Sequence, residues 1–331
     1  DVPPPPDWPH GQVSAASLPR RMADPVDIFA HWTRLDRANV TAHRLKRLPA
    51  LELKFVVDAS APLAELSWAQ RNVTPPIEQL AKAYDMIAYR TERVERNQYQ
   101  WPGRDYSLAT ILREGGICVD QAYFAANVGK ARGVPTLLFR GAGMDGRHAW
   151  FGYLAPSGWK MDAGRYAEQR FVAGFARDPQ TCLELCDIEI IFLSERFQRT
   201  PLYQLATIHT DFSHEFLRAG DVERARRAAR EAVSRESRHL GGWEALLATY
   251  EDRPGEARQR EDVLREAKLA FQRYPDLEAR FGRDWIESLR ARGETSLADA
   301  EERRFVQKFE VSRSDLSVQQ VAAMLTRSLQ D

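Results

Sequence analysis

The stretch GGICVDQAYFAANVGKARGVP (115–135) carries signals for both the start and the end of one helix, and the rest of the fold can be predicted outward from it. Two glycines stand before Cys118, and the run that follows favours a helix from Cys118 to about Arg132. Gly133 and Pro135 then form a typical helix stop. One face of this predicted helix carries only small residues, namely Cys118, Ala122, Ala125 and Gly129. Such a face allows another backbone to approach closely, so we expect the head of the helix to pack against a sheet.

Three β-rich runs follow the helix and predict an antiparallel sheet. They are TLLFRG (136–141), HAWFGYL (148–154) and WKMDAG (159–164). The segments AGMDG and APSG that separate them are typical of hairpin turns. A helix followed by strands indicates an α+β fold.

The N-terminal third is predicted to be a tail followed by helices. The Pro-rich opening, DVPPPPDWPHGQ, predicts an extended tail over residues 1–22. From 24 to 99 the pattern is mostly helical, with ELKFVVD (52–58) interpreted as a short strand. We expect one helix over IEQLAKAYDMIAYRTERVER (77–96) and another within SLATILREGG (107–116), which has a serine start and a glycine stop.

Strand signals end near Pro201, so we expect two domains, 23–200 and an all-α domain over 201–331. The second domain begins with two predicted helices that are separated at Ala219-Gly220. Trp243 and Trp285 each open a later helical hairpin. The pattern resembles a tetratricopeptide array, although its period is irregular. An unrelated helical bundle is the alternative.

The composition excludes several classes of function. Lys plus Arg and Asp plus Glu number 47 each, so no overall field attracts nucleic acid. No run approaches the roughly 18 apolar residues of a membrane-spanning helix. The three cysteines imply no disulfide framework. The chain begins with Asp, so an earlier leader segment is compatible with the sequence and the compartment stays open.

Three residue types in the middle third point to thiol chemistry. Cys118 starts a helix, where unpaired N–H groups favour the thiolate. His148 begins a strand, and Asp162 ends the next run, so a hairpin would bring the carboxylate towards the imidazole. An imidazole takes the proton of a thiol, and a carboxylate on its far nitrogen fixes the tautomer. The N–H of Cys118 would hold part of a developing oxyanion.

These motifs resemble the core of the transglutaminase-like superfamily. The helix GGICVDQAYFAA, the break GVP, the strand HAW and the run WKMD occur in the family's order, within residues 106–166. The resemblance implies a papain-like α+β core, with Cys118 as nucleophile, His148 as base and Asp162 as orienting carboxylate. The family includes cross-linking enzymes, peptidases, peptide:N-glycanases and members that have lost the triad.

The chain also departs from the family pattern. Gln121 stands where an aromatic residue is more common, so the pocket near the nucleophile is expected to differ. Trp101 and Tyr106 are the available types for the upstream oxyanion donor, and Trp150 shares a strand face with His148. No acidic cluster predicts a calcium loop, and no cofactor or metal is expected.

Other constellations favour structural roles. Cys182 and Cys186 lack further ligands for zinc, and His209 and His214 do not share a helix face. Two nearer carboxylates compete with Asp162. Asp120 is expected to point off the helix face of Cys118, and Asp145 lies in a turn, where aspartate is common for backbone reasons.

Two functions of different classes follow from the sequence. The first is thiol-dependent hydrolysis or acyl transfer at an amide bond of a protein or peptide, with hydrolysis favoured because nothing marks an amine-acceptor site. The second is a catalytically silent member of the same fold whose C-terminal helices bind a protein partner. Reactivity of Cys118 towards electrophiles discriminates between them.

Overall fold

The computed structural model describes residues 10–13, 24–143, 146–165, 173–181 and 183–329. The protein is α+β, with one five-stranded antiparallel sheet in a mostly helical chain. It divides into two compact units, Asp1–Asp187 and Ile188–Asp331, earlier in the chain than the boundary at residue 200 expected from the sequence. Within the described residues, no helix is long and apolar enough to cross a membrane.

In the described part of the first unit, seven α-helices precede the sheet. They are α1 (Pro25–Arg37), α2 (Ala50–Val57), α3 (Leu63–Asn72), α4 (Lys82–Asp85), α5 (Thr91–Glu95), α6 (Leu108–Glu114) and α7 (Cys118–Ala131). The predicted helix starting at Cys118 is confirmed as α7, which is buried along almost its whole length. The predicted helix within 107–116 is confirmed as α6, whose first turn is capped by the Ser107 hydroxyl.

Two predictions for the N-terminal third were wrong. Most of 52–58 lies in helix α2, which ends at Val57, instead of a strand, because Glu52, Phe55 and Val56 are buried together at helical spacing. The single helix over 77–96 is broken into a short 3₁₀ turn, α4 and α5. Residues 88–90 are extended there because they pair with the backbone of Gly116, where Gly116 N donates to Ala88 O and Arg90 N donates to Gly116 O.

The described part of the predicted tail is folded. Val13 is buried in the core of the first unit, and His10 is buried as well. Trp101 N donates a hydrogen bond to Gln12 O over 3.0 Å, which attaches this segment to the chain before α6. Residues 1–9 and 14–22 lie outside the described residues.

The sheet has the strand order β3-β2-β1-β4-β5. Its members are β1 (Thr136–Gly143), β2 (Gly146–Ala155), β3 (Gly158–Ala163), β4 (Phe175–Arg177) and β5 (Glu184–Cys186). The predicted antiparallel β1–β2–β3 meander is confirmed, with Gly141 opposite His148 and Arg140 opposite Ala149. Helix α7 packs on the sheet through a cluster that contains Ala149, Phe151 and Tyr153 of β2.

The second unit consists of consecutive helices that pack on their neighbours. They are α8 (Asp187–Leu193), α9 (Pro201–Arg218), α10 (Val222–Arg235), α11 (Leu240–Ala248), α12 (Ala257–Ala270), α13 (Pro275–Ala291), α14 (Thr295–Phe309) and α15 (Ser314–Ser328). The predicted break at Ala219-Gly220 is confirmed, and Ala225, Ala229 and Ala232 of α10 are fully buried. Burying alanines lets α9 and α10 pack closely.

Candidate active site

Backbone geometry fixes the start of α7 and hence the position of Cys118. Gly115 has a φ of +78°, and a Cβ there would lie 2.4 Å from Ala88 O, so only glycine fits the turn before the helix. Asp120 then caps the helix, since its Oδ2 accepts a hydrogen bond from Ile117 N over 2.9 Å. Cys118 is therefore held at the first position of α7.

The sulfur of Cys118 lies against the backbone of β2. Burial raises the pKa of this thiol, and the Asp120 carboxylate raises it further. Backbone hydrogen bonds from Ala149, Val119 and Cys118 itself oppose the rise without cancelling it. The helix terminus alone predicts a lowered pKa, so desolvation outweighs it here and the resting group is the neutral thiol.

The imidazole of His148 contacts three groups, namely the Gly164 carbonyl and the rings of Trp150 and Tyr84. Its Nε2 hydrogen bonds to the Gly164 carbonyl over 2.7 Å, which assigns the ring proton to Nε2 and leaves Nδ1 as the basic nitrogen. The ring stacks on Trp150 at 6.1 Å between centroids, and Tyr84 stands 6.4 Å away, edge-on. Burial lowers the pKa of His148, against a smaller upward effect of the Gly164 carbonyl, so the imidazole is neutral at pH 7.

Gly164 accepts the hydrogen bond that the sequence assigned to the Asp162 carboxylate. The register of β2 and β3 explains the difference, because Phe151 pairs with Ala163 and the strands then shift register at a bulge. Asp162 has its side chain on the exposed face of β3, between buried neighbours. Gly164 has a φ of +85° and lies against the Tyr84 ring, where a Cβ would clash.

A buried ion pair lies close to Cys118 at the start of α7, and sequence reasoning missed it. Arg93 Nη1 donates to Asp120 Oδ2 over 2.8 Å, and both side chains are buried. Tyr106 donates its hydroxyl to Asp120 Oδ1 over 2.8 Å and lies 2.6 Å from His10 Nε2. Burial raises the pKa of Asp120, and the hydrogen bond from Ile117 and the charge of Arg93 oppose that rise.

The remaining predicted pocket residues have structural partners. The Trp101 ring packs at 5.0 Å on Tyr106 and lies under the Arg93 guanidinium, so both aromatic residues surround the ion pair. Gln121 is buried and donates to Ile87 O over 2.9 Å. Trp150 is fully buried and donates to Met161 O over 2.8 Å, which fixes the ring on which His148 stacks.

One cleft of about 1030 Å³ contains both predicted reactive residues. Alternation along β2 sends the His148 ring and the Ala149 methyl group to opposite sides of the strand. The first residues of β2 form part of the cleft wall, because His148 and Ala149 line the cleft together with Cys118. The rest of its wall is formed by His10, Gly11, Gln12, Tyr89, Val94, Tyr99, Ile117, Val119, Arg140, Gly141, Arg147, Phe175 and Glu184.

The thiol of Cys186 does not belong to this cleft wall. Cys186 is a half-buried free cysteine whose thiol donates to Asp187 Oδ1 over 3.4 Å. Cys182 and Asp145 lie outside the described residues. Across the described ranges, no group of three or more His, Cys, Asp or Glu side chains is arranged to hold a metal ion.

Comparison of the chain with protein-family models, with curated proteins and with solved structures finds no match. The cleft that contains Cys118 and His148, and the motifs around these two residues, are therefore the features that bear on function.

Proposed function

We propose that the protein is a thiol-dependent hydrolase or acyltransferase that acts on amide bonds of proteins or peptides, within a transglutaminase-like, papain-like core. Hydrolysis is the favoured reaction. The proposal is supported above all by one observation: Cys118 and His148 line the same cleft, together with Ala149, whose backbone lowers the pKa of the Cys118 thiol.

In this mechanism His148 acts as a general base on a neutral thiol. The imidazole Nδ1 takes the thiol proton as the sulfur attacks the acyl carbon, so the new C–S bond replaces the C–N bond. The imidazolium then gives its proton to the leaving amine. Water, deprotonated by the same imidazole, hydrolyses the thioester and releases the carboxylic acid and the free thiol.

The opposite pKa shifts of the two groups favour this route over a resting ion pair. Burial raises the pKa of the thiol and lowers that of the imidazole, so both are neutral before substrate arrives. The backbone N–H groups around the sulfur supply hydrogen bonds to the thiolate as it forms.

The Asp162 carboxylate is the third member of the triad that the family resemblance implies. Because the Gly164 carbonyl already orients the ring, we expect Asp162→Asn to change the turnover rate by about threefold or less. Steady-state kinetics on the variant checks this. A triad carboxylate would instead cost about 10⁴-fold on replacement, so a loss above about 100-fold would restore Asp162 to the triad.

Trapping of the covalent intermediate tests the proposal. The protein is incubated with a mixed peptide library, quenched in acid, and digested, and the adducts are assigned to individual cysteines by tandem mass spectrometry. We expect acyl adducts on Cys118 only, together with shortened library peptides. Adducts spread equally over Cys118, Cys182 and Cys186, or no cleaved peptides, would contradict the proposal.

A catalytically silent scaffold is the second candidate, and the raised pKa of the thiol favours it. In that case the tetratricopeptide-like helices of the second unit would bind a protein partner. Exposed apolar side chains on α9, namely Leu202, Ile208 and Phe212, support this alternative. The trapping experiment discriminates, because a scaffold forms no thioester.

A further inference from the structure

We infer that the cleft is built for an acidic peptide, whose carboxylates are bound by Arg140 and Arg147 beside the nucleophile. The inference rests on the proposed function where it links the bound peptide to catalysis. Binding of the acidic peptide itself does not require turnover. Both arginines line the cleft and both are exposed.

The part of the chain that the structure describes offers no partner to either guanidinium group. Among the described residues, neither side chain makes an ion pair, a hydrogen bond or a ring contact. Some arginines of the first unit, in contrast, have structural roles. Arg93, for example, is paired with Asp120 and also donates to three backbone carbonyls. Uncompensated arginines in a concave site are available for a ligand.

The sheet register sets how a carboxylate would be held. Arg140 is opposite Ala149, and Arg147 is opposite Ala142, so the two arginines are diagonal neighbours on β1 and β2. Diagonal neighbours have Cβ atoms about 7–8 Å apart, close enough for both to reach one carboxylate or two adjacent ones. Arginine forks bind carboxylates in a two-pronged geometry.

The position of this pair relates it to the chemistry. Ala149 is opposite Arg140 and two residues after Arg147, and it lines the cleft together with Cys118. A carboxylate that the two arginines bind would belong to a residue one or two positions from the amide bond that the Cys118 sulfur attacks. The acidic side chain would therefore belong to a residue next to the cleaved bond.

The remaining charges of the cleft leave the arginines uncompensated. Glu184 is the one carboxylate in its described wall, and it stands opposite Arg177 in the β4–β5 register. A neighbouring cavity of about 80 Å³ shares Arg140 with the cleft. Exposed rings of Tyr99 and Phe175 supply apolar surface for the peptide chain.

Binding of matched peptides to the Cys118→Ala protein tests the inference without turnover. The probes are fluorescein-labelled dodecapeptides of Glu, Gly and Ala, the same peptide with Gln for Glu, and the same peptide with Lys for Glu. We expect the Glu peptide to bind at least about tenfold more tightly than the Gln peptide, with a preference that weakens as salt is added.

Charge variants assign the preference to the two arginines. In Arg140→Gln/Arg147→Gln the preference should vanish, and in Arg140→Glu/Arg147→Glu the Lys peptide should become the best ligand. Arg113→Gln is the matched control, since Arg113 is exposed on α6 and does not line the cleft, and it should leave the preference unchanged. Thermal melting confirms that the variants are folded.

Two results would overturn the inference: equal binding of the Glu and Gln peptides, or a preference that survives in the double Gln variant. Its failure is distinguishable from failure of the proposed function. If the wild-type protein cleaves Gln and Glu peptides equally well through Cys118, the enzyme stands and the acidic specificity falls. If the Glu preference is present but no thioester forms, the binding site stands without the enzyme.

Discussion

Cys118→Ala should abolish amide turnover, with a fall in rate of roughly 10⁶-fold to the background level, as removal of other catalytic nucleophiles does. The reason is that no other group in the described cleft wall offers a thiol, and the proposed route forms its covalent bond at this sulfur. Folding stability should change by about 1 kcal/mol or less, because the side chain is only half-buried and loses one atom. Peptide cleavage followed by mass spectrometry, together with thermal melting, measures both quantities.

The matched control for Cys118→Ala is Cys186→Ser. Cys186 is also a half-buried free cysteine, but it does not line the cleft. Its replacement should leave turnover within about twofold of wild type. Comparable turnover in Cys118→Ala and Cys186→Ser would show that the thiol at 118 is not the nucleophile.

Arg93→Ala should destabilise the protein by about 3–5 kcal/mol, because it leaves the buried Asp120 carboxylate without its counter-charge. The variant also loses the hydrogen bonds that Arg93 donates to the carbonyls of Gln98, Tyr99 and Gln100. Because Asp120 caps α7, the helix that carries Cys118 should loosen at its first turn. Chemical denaturation of wild type and variant measures the free-energy difference.

The pH dependence of this loss identifies its cause. Burial already raises the pKa of Asp120, and removing Arg93 raises it further. The carboxyl is then protonated as pH falls through that raised value, so the penalty of a buried unpaired charge should shrink in acid. The exposed Arg113→Ala should cost less than about 0.5 kcal/mol. An Arg93→Ala loss equal to that of Arg113→Ala would show that the pair does not stabilise the fold.

Local signals explain what the sequence predicted correctly. The glycines before Cys118 and the Gly133–Pro135 break delimit α7, because both depend on backbone conformations that few other residues adopt. The β1–β2–β3 meander follows from turn segments and β-branched or aromatic runs of at least six residues. Strands β4 and β5, at three residues each, are too short to show an alternating pattern.

Long-range pairing explains what the sequence could not predict. Residues 88–90 leave the helical pattern because their backbone pairs with Gly116. Asp120 and Arg93 are 27 positions apart, and only the fold brings them together. The acceptor that orients His148 is a backbone carbonyl of Gly164, which has no side-chain signature. His10 lies in a Pro-rich opening that gives no sign of burial, and its partner Tyr106 is 96 positions away.

The most direct test of the central claim is the pH profile of amide turnover in wild type and in His148→Gln. In wild type, burial keeps the pKa of His148 below 6.5, so the base is neutral through neutral pH and the rate should fall only as pH drops through that lowered value. In His148→Gln the base is absent, and the remaining rate should be low at pH 7 and rise about tenfold per pH unit as the thiol, whose pKa is raised, ionises. The proposed role of His148 requires, in wild type, an acid limb with a midpoint below the ordinary pKa of histidine, and the loss of that limb in the variant. Profiles of the same shape and height in the two proteins would contradict it.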